Sequence, residues 1–326
     1  MEKTAATPSQ SSVRSERGSF IHAVKVFFRL LYRQRALLLL CLPATILTIV
    51  FKYGSMYGIL IAFKNYKASR GIWGSEWLDP IYKNFATFFR NPASISLIWN
   101  TVRIGVSTIL FSFPAPIIFA ILLNELRGRY FKKLVQTVSY IPHFISVIVV
   151  VGMLNSFGAM DGLFNNLRGI IGLSAVNMNE GTRYFMQLFV GSHVWQTFGW
   201  SSIIYIAALS NVDPTLYDVA NIDGANRWDK ILHIAWPTIL PTTTILLILS
   251  MGGILNSDYQ KILLMQNDTN RRAVDVISSF VYREGIMGAR FEYTTAANLM
   301  QSAVGFLLVI AANKITQKIN AENSLW

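Results

Sequence analysis

The sequence predicts an all-α, polytopic membrane protein with six transmembrane helices. Apolar residues make up 52% of its 326 residues and charged residues only 14%, which is about half the charged share of an ordinary soluble domain. Long apolar runs without charge recur along the chain, as in helices that cross a bilayer. The net charge of +12 agrees with this class, because inner-membrane proteins concentrate Lys and Arg in their cytoplasmic loops.

The composition argues against several kinds of site. The single cysteine, Cys41, lies in an apolar run and cannot form an intrachain disulfide. The four histidines are scattered without metal-ligand spacing, so no metal site is expected. Because the phosphate-binding pattern G-x-x-x-x-G-K-[ST] is absent from the sequence, we expect no cofactor bound by this chain. We also expect no catalytic residues and no nucleic-acid partner.

The chain begins with residues 1–19, a Ser- and Thr-rich stretch that predicts a disordered cytoplasmic tail. In residues 20–35, Lys25, Arg29 and Arg33 recur every four residues among apolar side chains. This pattern is typical of a basic helix that lies on an anionic membrane surface. It fits a cytoplasmic extension of the first membrane helix equally well, and the sequence does not separate the two alternatives.

Six apolar segments within residues 36–318 form the predicted membrane domain. Pro114 and Pro116 lie inside the second segment and should kink it, and Pro142 lies inside the third. Two long polar outer loops are expected, at 52–91 and 256–292. The approximate limits of the predicted spans are 36–51, 95–123, 134–157, 185–209, 238–255 and 293–312.

The short loop 124–133 sets the predicted orientation. It carries Arg127, Arg129, Lys132 and Lys133, and a short loop with such an excess of cations stays in the cytoplasm. Six spans then place both termini in the cytoplasm, with residues 319–326 as a C-terminal tail. The first outer loop is also basic, but long loops translocate despite their charge.

Residues 212–237 form a polar, helix-forming island between the fourth and fifth predicted spans. Asp213 can cap a helix whose first turn accepts Pro214. Gly224 then permits a sharp bend. A second amphipathic piece follows, in which Trp228 is expected to pack against neighbouring membrane helices. Pro237 is expected to mark the start of the next span.

The island resembles the EAA loop of permease subunits of binding-protein-dependent ABC importers. The matching positions are Asp218-Val219-Ala220, Asp223-Gly224-Ala225, Ile234 and Pro237. Asp218 stands where the family has Glu, and Trp236 stands where it has Leu. The resemblance implies a cytoplasmic helix–bend–helix that docks on an ATPase subunit. It implies these coupling residues: Asp218, Ala220, Asp223, Gly224, Ala225 and Pro237.

Further stretches are similar to the oligosaccharide and polysaccharide branch of these permeases, and in particular to alginate-importer permeases. They lie at 51–58, 113–116, 136–145 and 324–326, so the resemblance covers nearly the whole chain after the tail. It implies the type I importer fold in a bacterial inner membrane, surrounded by lipid. It also implies a second homologous permease chain, an ATPase dimer that binds ATP and Mg²⁺, and a periplasmic or lipid-anchored solute-binding protein that delivers a saccharide.

Polar side chains inside apolar spans are costly and are therefore candidates for function. The fourth span offers both aromatic faces and hydrogen-bonding groups, which are the features that sugars need. Packing and interhelical hydrogen bonding are the alternative for each residue, and especially for His193. The candidate residues of a sugar path are Asn155, His193, Trp195, Gln196, Trp200, Tyr205, Asn256, Tyr259, Asn298 and Gln301.

The charge of the first outer loop favours an acidic saccharide. This loop has six cations and only two acids, Glu76 and Asp79. Lipid headgroups or the binding protein could also bind these cations.

Two other functions are open at this point. A membrane-embedded glycosyltransferase needs carboxylates near the membrane surface, and the dense intracellular set is Asp213, Asp218, Asp223 and Asp229. Their spacing is not a metal-ligand arrangement that we recognise. A channel that works without ATP needs a ring of charges or a filter, and the sequence offers neither.

Overall fold

A computed structural model describes residues 33–126, 128–319 and 324–325. The predicted tail 1–19, nearly all of the basic segment 20–35, Arg127 and most of the tail 319–326 lie outside the described residues. The chain divides into one unit that ends at Gly58 and a second that begins at Ile59. The all-α class is confirmed, because the described residues are helical in most of their length.

The described part of the first unit is a continuous helix. Arg35–Thr48 is α-helical, Ile49–Tyr53 forms a π-helical turn, and Gly54–Met56 is α-helical again. None of the residues in these three elements is buried. A helix that is apolar all round is suited to the interior of a bilayer.

The second unit is built from helices and one small hairpin. Its two strands, Lys64–Asn65 and Glu76–Trp77, pair antiparallel. The 3-10 segment Tyr57–Phe63 contains the last two residues of the first unit. Other helical turns of the second unit are 3-10 at Ile141–Phe144, and π at Ile231–Ala235 and Val281–Met287. Its α-helices are Gly71–Gly74, Lys83–Arg90, Ser94–Ser112, Pro114–Asn124, Arg129–Tyr140, Val147–Gly158, Leu163–Ile170, Phe185–Ser210, Pro214–Ile222, Arg227–Lys230, Trp236–Gly253, Tyr259–Met265, Arg271–Val274, Ile277–Phe280 and Phe291–Ile319.

Five helical stretches among the described residues are long and apolar enough to cross a membrane. They are Arg35–Phe63, Ser94–Asn124, Val147–Ile170, Arg227–Gly253 and Phe291–Ile319. The predicted fourth span is present as the 26-residue helix Phe185–Ser210, but it is not one of these five. The count of six spans therefore stays a prediction.

We name four of these helices by their order in that prediction. The second span is Ser94–Asn124, the fourth is Phe185–Ser210, the fifth is Arg227–Gly253 and the sixth is Phe291–Ile319.

The prediction of one continuous third span, 134–157, is wrong. The chain forms the helix Arg129–Tyr140, a 3-10 turn, and a new helix at Val147–Gly158. Pro142 cannot continue an α-helix, because it lacks an N–H group and its ring clashes with the preceding turn. Ser146 then caps the new helix by accepting a hydrogen bond from the Val149 N–H group at 3.4 Å.

The helix of the fifth span crosses its predicted limit with the polar island. One helix continues from Arg227 to Gly253, so Pro237 lies inside it and does not mark its start. Pro237 has no N–H group for the carbonyl four residues earlier. A π-helical turn precedes it, in which the Trp236 N–H group bonds the Ile231 carbonyl five residues back. The second half of the island is thus a helical extension of the fifth span.

The two predicted outer loops are largely ordered into helices. In the first, the helix Lys83–Arg90 packs against the sixth span and fully buries Phe88 beside Phe280 and Tyr293. An amphipathic helix of this kind looks like a polar loop in a hydropathy profile, because only one of its faces is apolar.

The second outer region is held on the second span by polar side chains. The Asn100 amide donates hydrogen bonds to the carbonyls of Arg272 and Asp275 at 3.1 and 3.0 Å. The Arg103 guanidinium donates to the Ala273 carbonyl at 2.8 Å. These bonds satisfy polar groups that would otherwise be costly inside a membrane.

The fourth span approaches its neighbours through small residues, as helices in membranes commonly do. A Cβ atom at Gly199 would lie 2.1 Å from the carbonyl oxygen of Ser139, so only glycine fits this contact. Gly191, on the same helix, has no neighbouring atom within 4 Å of the corresponding position.

We expect Gly199→Ala to destabilise the folded protein, because the helix carrying Ser139 must move away. Overpacking of a tight contact costs about 1–3 kcal/mol. Gly191→Ala adds the same methyl group to the same helix in open space, so its stability should be unchanged or slightly higher. Thermal unfolding of the purified protein in detergent measures both variants, and equal melting temperatures would contradict the predicted contact.

Candidate functional site

The polar island, residues 212–237, contains a helix, a bend and a second helix. Asp213 caps the first helix, Pro214–Ile222, by accepting a 2.9 Å hydrogen bond from the Thr215 N–H group. This bond holds the pKa of Asp213 below its usual value, because it stabilises the carboxylate. Asn124, at the end of the second span, donates a 3.3 Å hydrogen bond to the Tyr217 hydroxyl and ties the island to the membrane domain.

Gly224 forms the bend that the sequence predicts. Its φ angle of +75° lies in the left-handed region, which glycine adopts without steric cost. The Gly224 N–H group bonds the Asn221 carbonyl, and the Ala225 N–H group bonds the Ala220 carbonyl. This pair of bonds is the Schellman motif, which ends a helix at a defined angle.

The second helix begins immediately after the bend. Asn226 and Asp229 exchange hydrogen bonds in a capping box. The Lys230 ammonium group donates to the Asn221 side-chain oxygen and links the two helices of the island directly. The bend is therefore held from both sides.

One face of the first helix is apolar and exposed. Leu216, Val219 and Ile222 recur every three residues and are 52%, 55% and 85% exposed. The carboxylates of Asp218 and Asp223 form no hydrogen bond or ion pair with the described part of the chain. An exposed apolar stripe beside unpaired carboxylates is suited to contact another protein.

The expectation that Trp228 packs against membrane helices is wrong. Its side chain is 72% exposed, whereas Ala235 on the same helix is buried. The buried contacts of this helix begin only near Ala235, so Trp228 lies beyond the core. Trp228 thereby adds to the exposed apolar surface of the island.

A cavity of about 550 Å³ lies between the second, fourth and fifth spans. His193, Trp200 and Tyr205 of the fourth span line it, together with Ser112 and Ser250. A second cavity of about 180 Å³ shares Ser112, His193 and Ser250 with the first. We call the two together the polar cavity.

The polar cavity carries a flat aromatic surface. The ring of Trp200 stacks on His143 with a centroid distance of 4.7 Å and an interplanar angle of 1°. Phe144 meets the same tryptophan edge-on at 5.5 Å. Rings held in this way offer the kind of face on which a sugar can stack, next to the hydroxyl groups of the cavity wall.

The structure brings four of the predicted path residues together. His193, Trp200 and Tyr205 line the larger part of the polar cavity, and Asn256 lines the smaller part. Gln196 donates a 3.3 Å hydrogen bond to the Ile145 carbonyl. The role of each of these residues in transport stays a prediction.

Three other predicted path residues lie away from the polar cavity. Trp195 lines a separate cavity of about 440 Å³. Asn155 borders a very small pocket, where its carbonyl accepts a 2.7 Å hydrogen bond from Asn179. Asn298 is exposed on the sixth span.

The remaining two make contacts inside the protein. Tyr259 packs against Tyr282 at a ring distance of 5.3 Å. Gln301 is buried and donates to the Leu255 carbonyl and the Asn256 side-chain oxygen at 2.7 and 3.0 Å. Gln301 thereby positions a residue that lines the polar cavity.

Sequence reasoning missed Lys261, which is only 1% exposed. Its ammonium group lies 3.5 Å from the side-chain oxygen of Gln196 and 5.3 Å from the centroid of the Phe189 ring. Burial lowers the pKa of Lys261 to about 8, while Asp258 acts in the opposite direction. The sequence signal was a lysine next to the apolar run that begins at Ile262, in a segment that was expected to be a loop.

Comparison with known proteins places the chain in a family. The family described as "Binding-protein-dependent transport system inner membrane component" matches residues 112–320. The polygalacturonan/rhamnogalacturonan transport system permease protein YteP of Bacillus subtilis is 39% identical over 293 residues, which are 90% of this chain and 91% of that protein.

Solved structures agree with the fold. A chain of a bacterial ABC transporter involved in the import of the acidic polysaccharide alginate superposes with a TM-score of 0.79 and 34% identity, covering 90% of this chain and 99% of that chain. A structure of a bacterial alginate transporter in complex with a periplasmic protein that holds an alginate pentasaccharide matches with the same TM-score and identity, over 90% and 97% of the two chains.

We expect the polar cavity to hold water, because hydroxyl, imidazole and amide groups line it. Ser112→Cys in a Cys41→Ser background should then react with a charged thiol reagent. Ser107→Cys, on the same helix, borders a different groove formed by residues such as Phe111 and Val190, and should react much more slowly. Mass spectrometry of the purified protein in detergent measures the two rates, and equal rates would contradict a hydrated cavity.

Proposed function

This chain belongs to the binding-protein-dependent transport system inner membrane components, and on that premise we propose that it couples the import of an oligosaccharide to ATP hydrolysis by a partner. The relatives that it matches are named as transport system permeases and not as enzymes. No finding favours the glycosyltransferase alternative.

The observation that carries the coupling proposal is the exposed apolar stripe of Leu216, Val219 and Ile222 beside a fixed bend. We infer that this stripe, with Trp228 and the carboxylates of Asp218 and Asp223, docks on an ATPase subunit. A docking element must transmit force, and the second helix of the island continues into the fifth span without a break. ATP and Mg²⁺ would bind to the ATPase dimer, and this chain would bind no cofactor.

The substrate path is proposed to pass through the polar cavity. His193, Trp200, Tyr205 and Asn256 supply stacking faces and hydrogen-bonding groups there, and sugars bind through both. A second permease chain would complete the path, because the cavity lies open on one side of a single chain that exposes many apolar side chains.

We propose an acidic saccharide as the substrate class. The relative YteP is named for polygalacturonan and rhamnogalacturonan, and the matching solved transporter imports the acidic polysaccharide alginate. The first outer region of this chain adds six cations against two acids. A periplasmic binding protein is the proposed source of the saccharide, as in the neighbouring complex.

The proposed orientation places the polar island, the loop 124–133 and both termini in the cytoplasm. The cations Arg129, Lys132 and Lys133 support it, because short basic loops stay inside.

We expect Gly224→Pro to abolish the association with the ATPase. Proline fixes φ near −65°, whereas Gly224 has a φ angle of +75°, so the two helices of the island cannot keep their angle. Co-purification of the ATPase with the chain from native membranes measures the effect.

Gly172→Pro is the matched control. Gly172 has a φ angle of +77° and open space around it, so the substitution creates the same backbone conflict outside the polar island. The ATPase should stay bound to this variant. Retention of the ATPase by Gly224→Pro, or its equal loss from both variants, would contradict the docking role.

We expect Trp200→Ala to lower saccharide uptake by about tenfold or more, because loss of a stacking face removes about 1–3 kcal/mol of binding. Trp195→Ala removes the same side chain from the same helix but changes a different cavity, so uptake should change little. Uptake into proteoliposomes with the full transporter measures both. A larger effect of Trp195→Ala would place the path on the other side of the helix.

A further inference from the structure

Lys261 is a buried cation without a counter-ion. Among the described residues its ammonium group forms no ion pair, and its hydrogen bond is to the neutral Gln196 side chain at 3.5 Å. Asp258 uses a carboxylate oxygen to accept the backbone N–H group of Lys261 as a helix cap. A buried charge that lacks a partner is strongly destabilising, and such residues are candidates for function by default.

The elements around Lys261 supply no acid. The helix Tyr259–Met265 packs against Val147–Gly158, Ile277–Phe280 and the fourth span. None of these three elements contains Asp or Glu. The titratable group that acts on the amine is therefore Asp258, next to its own helix, and the amine in turn acts on His193 of the fourth span.

Two hydroxyl groups at the polar cavity also lack partners. Thr108 Oγ1 and Ser257 Oγ are buried, and neither forms a hydrogen bond within the described part of the chain. Both residues line the 180 Å³ part of the cavity, and so does the acid Asp258. A threonine in a helix commonly bonds the carbonyl four residues earlier, as Thr101 does in the same helix. Buried polar groups without partners are rare in native proteins.

Lys261 adjoins this part of the cavity through two side chains. Its ammonium group lies over the ring of Phe189, and its charge acts on His193. Phe189 and His193 both line the cavity. Lys261 is not itself part of the lining, but its ammonium group lies next to the ring of Phe189, which lines the same small space as the two hydroxyl groups.

We propose that Lys261, Ser257 and Thr108 form a subsite that holds the carboxylate of an acidic sugar unit during its passage through the polar cavity. A carboxylate would supply the charge that the ammonium group lacks and acceptor oxygens for both hydroxyl groups. This inference rests on the proposed function and assigns the recognition of the acidic group to residues of this chain, separately from the binding protein.

The test compares an acidic trisaccharide with its neutral form. In the fully methyl-esterified derivative of trigalacturonate, each charged carboxylate is replaced by a neutral methyl ester on the same sugar backbone. Binding to the purified permease–ATPase complex, measured by saturation-transfer NMR without the binding protein, removes the selectivity of that protein. Uptake into proteoliposomes with the complete transporter is the second measurement.

Lys261→Met should weaken the binding and uptake of trigalacturonate by about tenfold or more, since a hydrogen bond to a charged group is lost, and should leave the ester unchanged. Lys261→Arg keeps the charge and should keep the preference for the acid. Lys318→Met is the control, because it removes an exposed cation at the end of the sixth span that does not line the polar cavity. Equal effects of Lys261→Met on acid and ester would overturn the subsite.

Ser257→Ala tests the site in a variant that should fold as stably as the wild type. Its hydroxyl group has no partner in the described structure, so the substitution should not lower the melting temperature. It should weaken trigalacturonate binding about fivefold, as expected for one lost hydrogen bond. Unchanged binding would remove Ser257 from the site and contradict the proposal.

The pH dependence gives a further readout. With a pKa of about 8, Lys261 is charged at pH 7 and loses its proton as the pH rises to 9. The uptake of trigalacturonate relative to its ester should fall over this range in the wild type but not in Lys261→Arg, because arginine stays protonated. A parallel fall in both proteins would contradict the role of the amine.

The test separates failure of the subsite from failure of the proposed function. A complete wild-type transporter that takes up neither trigalacturonate nor any neutral oligosaccharide would overturn the proposed function itself. Uptake that is equal in the wild type and in Lys261→Met would overturn only the subsite.

Discussion

The fold depends on the way in which other helices surround the fourth span. The fourth span, Phe185–Ser210, carries His, Gln, Ser and Thr among its apolar residues. Such a helix can lie in a bilayer only when its polar groups find partners inside the protein. The second and fifth spans, the 3-10 turn at Ile141–Phe144 and the helix Tyr259–Met265 all pack against it.

The same requirement explains where the candidate path lies. Some polar groups of the fourth span are satisfied locally, as in the bonds that Ser192, Thr197 and Ser202 form to carbonyls of their own helix. Others, such as His193, line the polar cavity. Polar groups that the protein itself does not satisfy are available to water or to a hydroxyl-rich ligand. The candidate site therefore lies where polar side chains of several helices line one cavity.

The proposed coupling would have a direct physical route in this arrangement. The fifth span begins in the polar island at Arg227 and continues to Gly253, and Ser250 near its end lines the polar cavity. The capping box and the Schellman bend hold the first island helix against the start of this long helix. A displacement of the exposed stripe can therefore be transmitted to the cavity wall along hydrogen-bonded helix. No flexible segment lies between the stripe and the wall.

The sequence by itself determined the all-α class, the approximate positions of the membrane helices, the bend at Gly224 and the family. These depend on apolar run length, on the φ range of glycine and on contiguous motifs, and all three can be read from neighbouring residues. The broken third segment and the helical extension at Pro237 depended on how each proline is accommodated locally. Only the tertiary structure decided which polar residues share a cavity. It separated Trp195 from Trp200 and brought Lys261 from an expected loop to Gln196, because such contacts join residues far apart in the chain.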